Sequence, residues 1–123
     1  MVTDSAIARP AVRILLGSAS SIGPGKARLL EAVSRCGSIS AAAREMGMSY
    51  RRAWLLIDSM NKACTRTLVE TAAGGQRGGG ARLTAFGSEV LQRYRKMEER
   101  AAECLRQDLS EFAKFLQQAE TSE

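Results

Sequence analysis

The 123-residue sequence contains no histidine. That removes the side chain most often used as a general base near neutral pH, and with it every His-dependent catalytic triad. It also removes the nitrogen donors of most zinc sites. The three cysteines, Cys36, Cys64 and Cys104, include no Cys-x-x-Cys pair to compensate. Their odd number and wide spacing argue against a disulfide framework. Each falls on a predicted helix among apolar neighbours, so the expectation is buried free thiols in a reducing compartment. Long apolar runs are also missing. Without a signal-peptide core or a membrane span, the expected location is the cytoplasm, with no membrane partner. Aromatics are scarce, with three Phe, two Tyr and one Trp. The core must therefore be mostly aliphatic and Ala-rich, a composition that favours helices. The carboxylates form no convergent acid–base set, and neither a catalytic role nor a metal or cofactor is expected.

What is present is an uneven distribution of charge. Residues 1–83 carry 12 Lys/Arg against 5 Asp/Glu, whereas residues 84–123 carry 6 against 8. A basic front and a slightly acidic rear suit a front that meets a polyanion. A phosphate-binding loop is not the means. Gly25-Lys26 has Ser20 where that motif needs its first glycine, and Ala27 where Ser or Thr would bind magnesium.

The first 11 residues are mixed and read as a flexible N-terminus. Val12 to Leu16 is a short apolar run, predicted to be a strand, and the Gly/Ser-rich segment Gly17 to Gly25 reads as a loop. Pro24 suits the first turn of a helix, where its missing N–H costs nothing. That helix is predicted over Pro24 to Cys36, with Leu29, Leu30, Val33 and Cys36 on one stripe. Gly37 ends it, Ser38 caps the next, and Ile39, Ala42, Ala43 and Met46 form a buried face at helical spacing. Gly47 supplies the left-handed residue of a sharp turn. Ser49 then caps a second motif helix running to about Cys64. Around Ile57 its inward set is Tyr50, Ala53, Trp54, Ile57, Met60 and Cys64, so Tyr50 and Trp54 are expected in the core. Its outward set is Arg51, Arg52, Leu55, Ser59 and Lys62.

This is a helix-turn-helix, in which the N-terminal part of the second helix reaches base edges. Arg51 and Arg52 can donate to guanine or phosphate, Ser49 to either, and Leu55 can touch a thymine methyl. Ser38, Ser40, Ser59 and Lys62 are candidate phosphate contacts. Leu68 to Thr71 and Ala81 to Thr84 read as strands flanking a Gly-rich tip, which contains Arg77, Gly78 and Gly79. The hairpin is the wing of a winged helix, with Arg77 and Arg82 as phosphate or minor-groove contacts. Thr84 caps a final helix to about Gln118, too long for the small head to cover. Val90, Leu91, Tyr94, Met97, Ala101 and Cys104, then Leu105, Leu109, Phe112 and Leu116, form a stripe that needs a partner helix. Its phase shifts at Cys104–Leu105, which predicts a kink or a change of partner. Residues 119–123 read as a frayed tail.

Gly23-Pro-Gly, Leu29-Leu-Glu-Ala-Val, Gly37-Ser-Ile-Ser-Ala-Ala-Ala, Gly47-Met-Ser-Tyr-Arg-Arg-Ala-Trp, Ile57-Asp-Ser-Met-Asn61, Leu68-Val-Glu and Gly78-Gly-Gly-Ala-Arg-Leu-Thr84, with Gly87, resemble the N-terminal DNA-binding domain of the ModE family. These are molybdate-responsive bacterial transcription regulators. More distantly, the chain resembles the LysR-type winged helix-turn-helix. The likeness covers about residues 12–100. It implies a homodimer built through the long C-terminal helix, with two winged heads on a palindromic operator. The family's molybdate-binding domains follow the head and have no counterpart in these residues, so no molybdate site is expected here.

The expected fold is mainly α, a winged helix-turn-helix with a small β-hairpin wing and a long C-terminal dimerisation helix. Residues 12–84 form the DNA-binding domain and residues 85–118 the dimer helix. The expected function is sequence-specific binding of double-stranded DNA as a homodimeric transcriptional regulator, of molybdenum-linked genes by analogy. The alternative is an interaction module that assembles with a full-length regulator or a separate sensor protein.

Overall fold

A computed structural model describes residues 8–72 and 80–121. Helices dominate, and two antiparallel hairpins complete the fold. The first hairpin pairs β1 (Ile14–Leu16) with β2 (Ser20–Ile22), setting Ile14 opposite Ile22 and Leu16 opposite Ser20. This corrects the sequence reading on two points. The first strand is shorter than Val12 to Leu16, and the expected loop contains a strand. Serine-rich segments have low strand propensity, but propensity yields to tertiary contact. Here Ile22 is buried, and the Ser20 hydroxyl meets that of Ser59 at 2.8 Å. Gly17 turns the chain at φ +67°, in the left-handed region.

Helix α1 (Pro24–Cys36) begins and ends where expected, with Pro24 in its first turn and Gly37 left-handed at φ 81°. It buries Ala27, Leu29, Leu30, Ala32 and Val33. Fully buried leucines such as Leu29 and Leu30 contribute about 1.5–3 kcal/mol each. Helix α2 (Ile39–Met46) is capped by the Ser38 hydroxyl, which accepts from the Ala41 N–H at 3.1 Å. Its face of Ile39, Ala42 and Ala43 is buried, and Met46 is half-buried. The alanines keep the side-chain layer thin where α2 packs on α1 and on α3 (Tyr50–Ala63). At its end Gly47 donates to the Arg44 carbonyl at 3.2 Å and Met48 to that of Ala43 at 3.0 Å. That paired closure orients α3 and depends on the left-handed Gly47.

Helix α3 buries Ala53, Ile57 and Met60. Tyr50 and Trp54, expected inside with them, are exposed. Burial on that side of the helix begins only at Ala53, one turn in, and Trp54 lies at the edge of the buried sector. Near the other end Asn61 serves the backbone. Its Oδ1 accepts from the N–H groups of Leu68 and Val69 at 2.8 and 3.2 Å, and its Nδ2 donates to the Val69 carbonyl at 3.1 Å. These bonds fix where the second hairpin starts.

That hairpin joins β3 (Val69–Ala72) to β4 (Gly80–Leu83), pairing Val69 with Leu83 and Glu70 with Arg82. Each strand is displaced by one residue from the expected range, and Thr84 acts wholly as a helix cap. Its hydroxyl accepts from the Gly87 N–H at 2.8 Å and donates to the Thr67 carbonyl at 2.7 Å. The Ala81 N–H reaches the Gly37 carbonyl at 2.8 Å, tying the wing to the α1–α2 turn. The wing residues Arg77, Gly78 and Gly79 lie outside the described residues.

The expected final helix is divided into α4 (Ala85–Cys104) and α5 (Arg106–Thr121) at Leu105, where the stripe changes phase. The ladder runs through the break, because Leu105 donates to Ala101 and Leu109 to Leu105. Helix α5 extends past Gln118 to Thr121, so the expected frayed tail is in part helical. Tyr94, counted in the stripe, is 1% exposed and is a core residue of the single chain. The described residues divide into two compact units, one spanning Arg13–Tyr94 and the other holding residues 95–121 with residues 8–12. The first turns of α4 thus belong with the head. The thiols of Cys36, Cys64 and Cys104 are free, but none is fully buried and Cys104 is exposed. Among the described residues no helix is long and apolar enough to cross a membrane.

Candidate nucleic-acid interface

The two helix-turn-helix glycines and two capping serines set the geometry of the candidate site. Ser49 is extended at φ −71° and ψ 156°, and its hydroxyl oxygen accepts from the Arg52 N–H at 3.1 Å. The cap leaves α3 starting cleanly at Tyr50, so Arg51 and Arg52 leave the first turn on adjacent exposed faces. No carboxylate among the described residues pairs with either guanidinium. The segment from Ser49 to Ile57 contains no acidic residue, and the first to follow, Asp58, pairs with Lys62 at 3.0 Å. Ser49, Arg51, Arg52, Leu55 and Leu56 together line one shallow, open recess. The expected base-reading group of Ser49, Arg51, Arg52 and Leu55 is therefore brought together in space.

The candidate phosphate group is more scattered. Ser38 precedes α2 as its cap, half-buried with its oxygen already accepting, and Ser40 is exposed in the first turn of α2. Lys62 is exposed two turns beyond Leu55, held by Asp58. Arg82 is exposed on β4, but its guanidinium meets the cross-strand Glu70 carboxylate at 2.8 Å. Ser59 is half-buried with its hydroxyl committed to Ser20, which also accepts from Lys26 at 3.3 Å. That places Ser59 in the seam between α3 and the first hairpin. Lys26 points into the same seam, donating to the Ser21 carbonyl at 2.8 Å. Its partial burial, and then the nearby Arg13 charge, lower its pKa.

Sequence reasoning missed three participants. Tyr50 and Trp54 stand beside Arg51 and Leu55 on the exposed side of α3. Asn61 sets the height of the wing strands relative to α3 through its bonds to Leu68 and Val69. Its only signal was a polar amide on the buried side of an amphipathic helix.

Among the described residues no group of His, Cys, Asp or Glu could hold a metal ion. What the arrangement offers is a capped helix end with two unneutralised guanidinium groups, apolar side chains beside them and a β-hairpin in the same head. Charge-assisted, bidentate hydrogen bonding to an anion or a base edge is the chemistry it can do.

Similarity to known proteins agrees with this geometry. The transcriptional regulator ModE of Haemophilus influenzae is 41% identical over 85 residues, covering 69% of this chain and 33% of that protein. The DNA-binding transcriptional dual regulator ModE of Escherichia coli is 44% identical over 71 residues, covering 58% of this chain and 27% of that one. The chain thus spans about a third of the length of the curated relatives it matches. Among solved structures, the CbnR_DBD–DNA complex superposes with a TM-score of 0.52 at 23% identity, covering 68% of this chain and 90% of that chain. That likeness speaks to the fold, a winged helix. The family model for the bacterial regulatory helix-turn-helix proteins of the lysR family matches residues 25–88, from α1 to the first turn of α4, and the chain belongs to that family.

Proposed function

We propose that this chain binds double-stranded DNA sequence-specifically and regulates transcription in the cytoplasm, with α3 in the major groove. The observation that carries the reading is the exposed, carboxylate-free pair Arg51 and Arg52 at the capped start of α3. Arg51, Arg52, Ser49 and Leu55 read base edges. Ser38, Ser40, Lys62 and Arg82, with the wing residues Arg77, Gly78 and Gly79, hold phosphates. A further relative, 42% identical, is named molybdenum transport protein ModE, and control of molybdenum-linked genes is the corresponding role for this chain. A separate sensor protein is one source of a signal that would reach α3. Selection of bound duplexes from a random pool tests the reading. A preferred sequence should emerge, its binding should survive competitor DNA, and affinity should fall steeply with salt as phosphate counterions are released. A pool that yields no preferred sequence overturns it.

The active species in this reading is a homodimer on a palindromic operator, with half-sites about 34–36 Å apart or a multiple of that. Residues 12–84 serve as the DNA-binding domain and residues 85–118 as the dimer helix. Support comes from the exposed apolar groups Met97, Leu105, Phe112 and Leu116 on the stripe, with the half-buried Val90, Leu91, Ala101 and Leu109. Phe115, outside the stripe, is exposed as well and widens the patch on α5. Light scattering should give twice the chain mass at micromolar concentration. A strict monomer would sink the dimer and favour the second reading, in which the α5 patch docks a full-length regulator or a separate sensor.

A further inference from the structure

Helix α3 exposes three large apolar side chains in its first two turns, Tyr50 at 55%, Trp54 at 43% and Leu55 at 47%. Tyr50 and Trp54 are one turn apart and so are neighbours on the helix surface. Leu55 follows at 100° around the helix, with Arg51 between the two directions. The result is an aromatic pair on one side of Arg51 and Leu55 on the other, with Arg52 beyond Leu55. Neither the Tyr50 hydroxyl nor the Trp54 indole N–H has a partner among the described residues. Scattered apolar residues on a surface need no explanation, but an exposed aromatic pair one turn apart, with a third large apolar side chain nearby, does. The charge beside it selects the occupant. With no carboxylate from Ser49 to Ile57, this surface suits a polyanion that also presents apolar groups. In duplex DNA those groups are the thymine C5-methyls, which face the major groove.

We propose that Tyr50 and Trp54, together with Leu55, form an apolar reading surface that packs on thymine methyl groups beside the bases contacted by Arg51 and Arg52. The inference rests on the DNA-binding reading above and adds the class of base selected. It also gives α3 two kinds of contact on neighbouring faces of its first two turns. The arginines supply hydrogen bonds and charge, while the rings exclude water and reward a methyl at fixed positions.

The test replaces single thymines of the selected duplex by deoxyuridine, which removes the methyl and leaves base pairing intact. At one or two positions per half-site the wild-type chain should bind about fourfold more weakly. Trp54→Ala and Tyr50→Ala should weaken binding to the thymine duplex by a similar factor and each lose sensitivity to deoxyuridine at its own position. That non-additivity is the signature of direct contact. Trp54→Phe should retain part of the sensitivity. Tyr50→Ala should melt near the parent, whereas Trp54, at 43% exposure, is partly packed and Trp54→Ala should melt lower, so Trp54→Phe separates lost contact from lost stability. Because Trp54 is the sole tryptophan, quenching of its emission by the specific duplex reads the contact directly.

Alanine variants that bind and select like wild type, while Arg52→Ala loses binding, overturn the inference and leave the DNA reading standing. Equal losses on thymine and deoxyuridine duplexes also overturn it, assigning the rings to the sugar–phosphate backbone. Emission that duplex leaves unchanged but that shifts with protein concentration would give the surface to a second copy or another protein. A wild-type chain with no sequence preference defeats the DNA reading itself.

Discussion

Gly87→Ala should destabilise the head by about 3 kcal/mol, even though alanine is ordinarily the better helix residue by about 1 kcal/mol. Gly87 is buried in the first turn of α4, where an added Cβ would lie 2.1 Å from the Leu68 carbonyl oxygen and 2.8 Å from its carbon. Both are backbone atoms, and the backbone there cannot yield locally. The Leu68 carbonyl accepts the Thr84 N–H at 2.9 Å, its N–H is held by Asn61, and its side chain is 1% exposed. Relief therefore requires α4 to lift away from the α3–β3 connection, which would strain the Thr84 cap and the base of the wing together. A loss of this size should lower the melting temperature by roughly 10–20 °C in thermal denaturation followed by circular dichroism. Gly25→Ala is the control of opposite sign. Gly25 lies in the first turn of α1 with open space around its Cβ position, so the variant should be neutral or slightly stabilised. A Gly87→Ala chain that melts with the parent would show that the helix can shift without cost and would refute the close-packing argument.

The contrast between these glycines marks how far the sequence alone could be read. Helix boundaries were legible because caps and turns are local. Pro24, Gly37, Ser38, Gly47, Ser49 and Thr84 each impose a backbone geometry or satisfy an N–H within three or four residues. The position of the break at Leu105 was legible for the same reason, as a change of phase along one helix. Long-range placement was not. Ser20 to Ile22 has the composition of a loop, yet it pairs with β1 and is met by Ser59 from far along the chain. Gly87 carries no local mark of the carbonyl against it. Tyr50 and Trp54 failed for a related reason. Helical periodicity gives a direction around the axis, but whether anything stands in that direction at a given turn depends on neighbours. Tyr94 is the converse, a residue assigned to a partner helix that the single chain already buries. The candidate base-reading group was legible because outward direction and capped helix end were both available from the local pattern.

Removing both Arg51 and Arg52 should abolish specific DNA binding while leaving the fold intact. Each side chain is exposed, and the Ser49 cap bonds the Arg52 backbone N–H rather than its side chain, so Arg51→Ala/Arg52→Ala should change stability by no more than about 0.5 kcal/mol. The binding loss should reach roughly a hundredfold or more, because each well-formed bidentate contact to a base contributes about 1–3 kcal/mol of discrimination. The single variants separate two roles. If Arg52 reads a guanine, Arg52→Ala relaxes selectivity at one position and costs about 1–3 kcal/mol there. If it holds a phosphate, the loss is uniform across sequences and the slope of log affinity against log salt falls by about 1. Arg82→Ala should cost less than either. Arg82 is already satisfied by Glu70 at 2.8 Å, and any gain from a phosphate is offset by loss of that exposed pair, itself of small value. Binding titrations of the three variants on the selected duplex, at several salt concentrations, distinguish these outcomes. A double variant that still prefers the selected sequence would remove α3's arginines from the reading surface. Discrimination would then rest on the apolar surface and the wing, which the deoxyuridine series would detect independently.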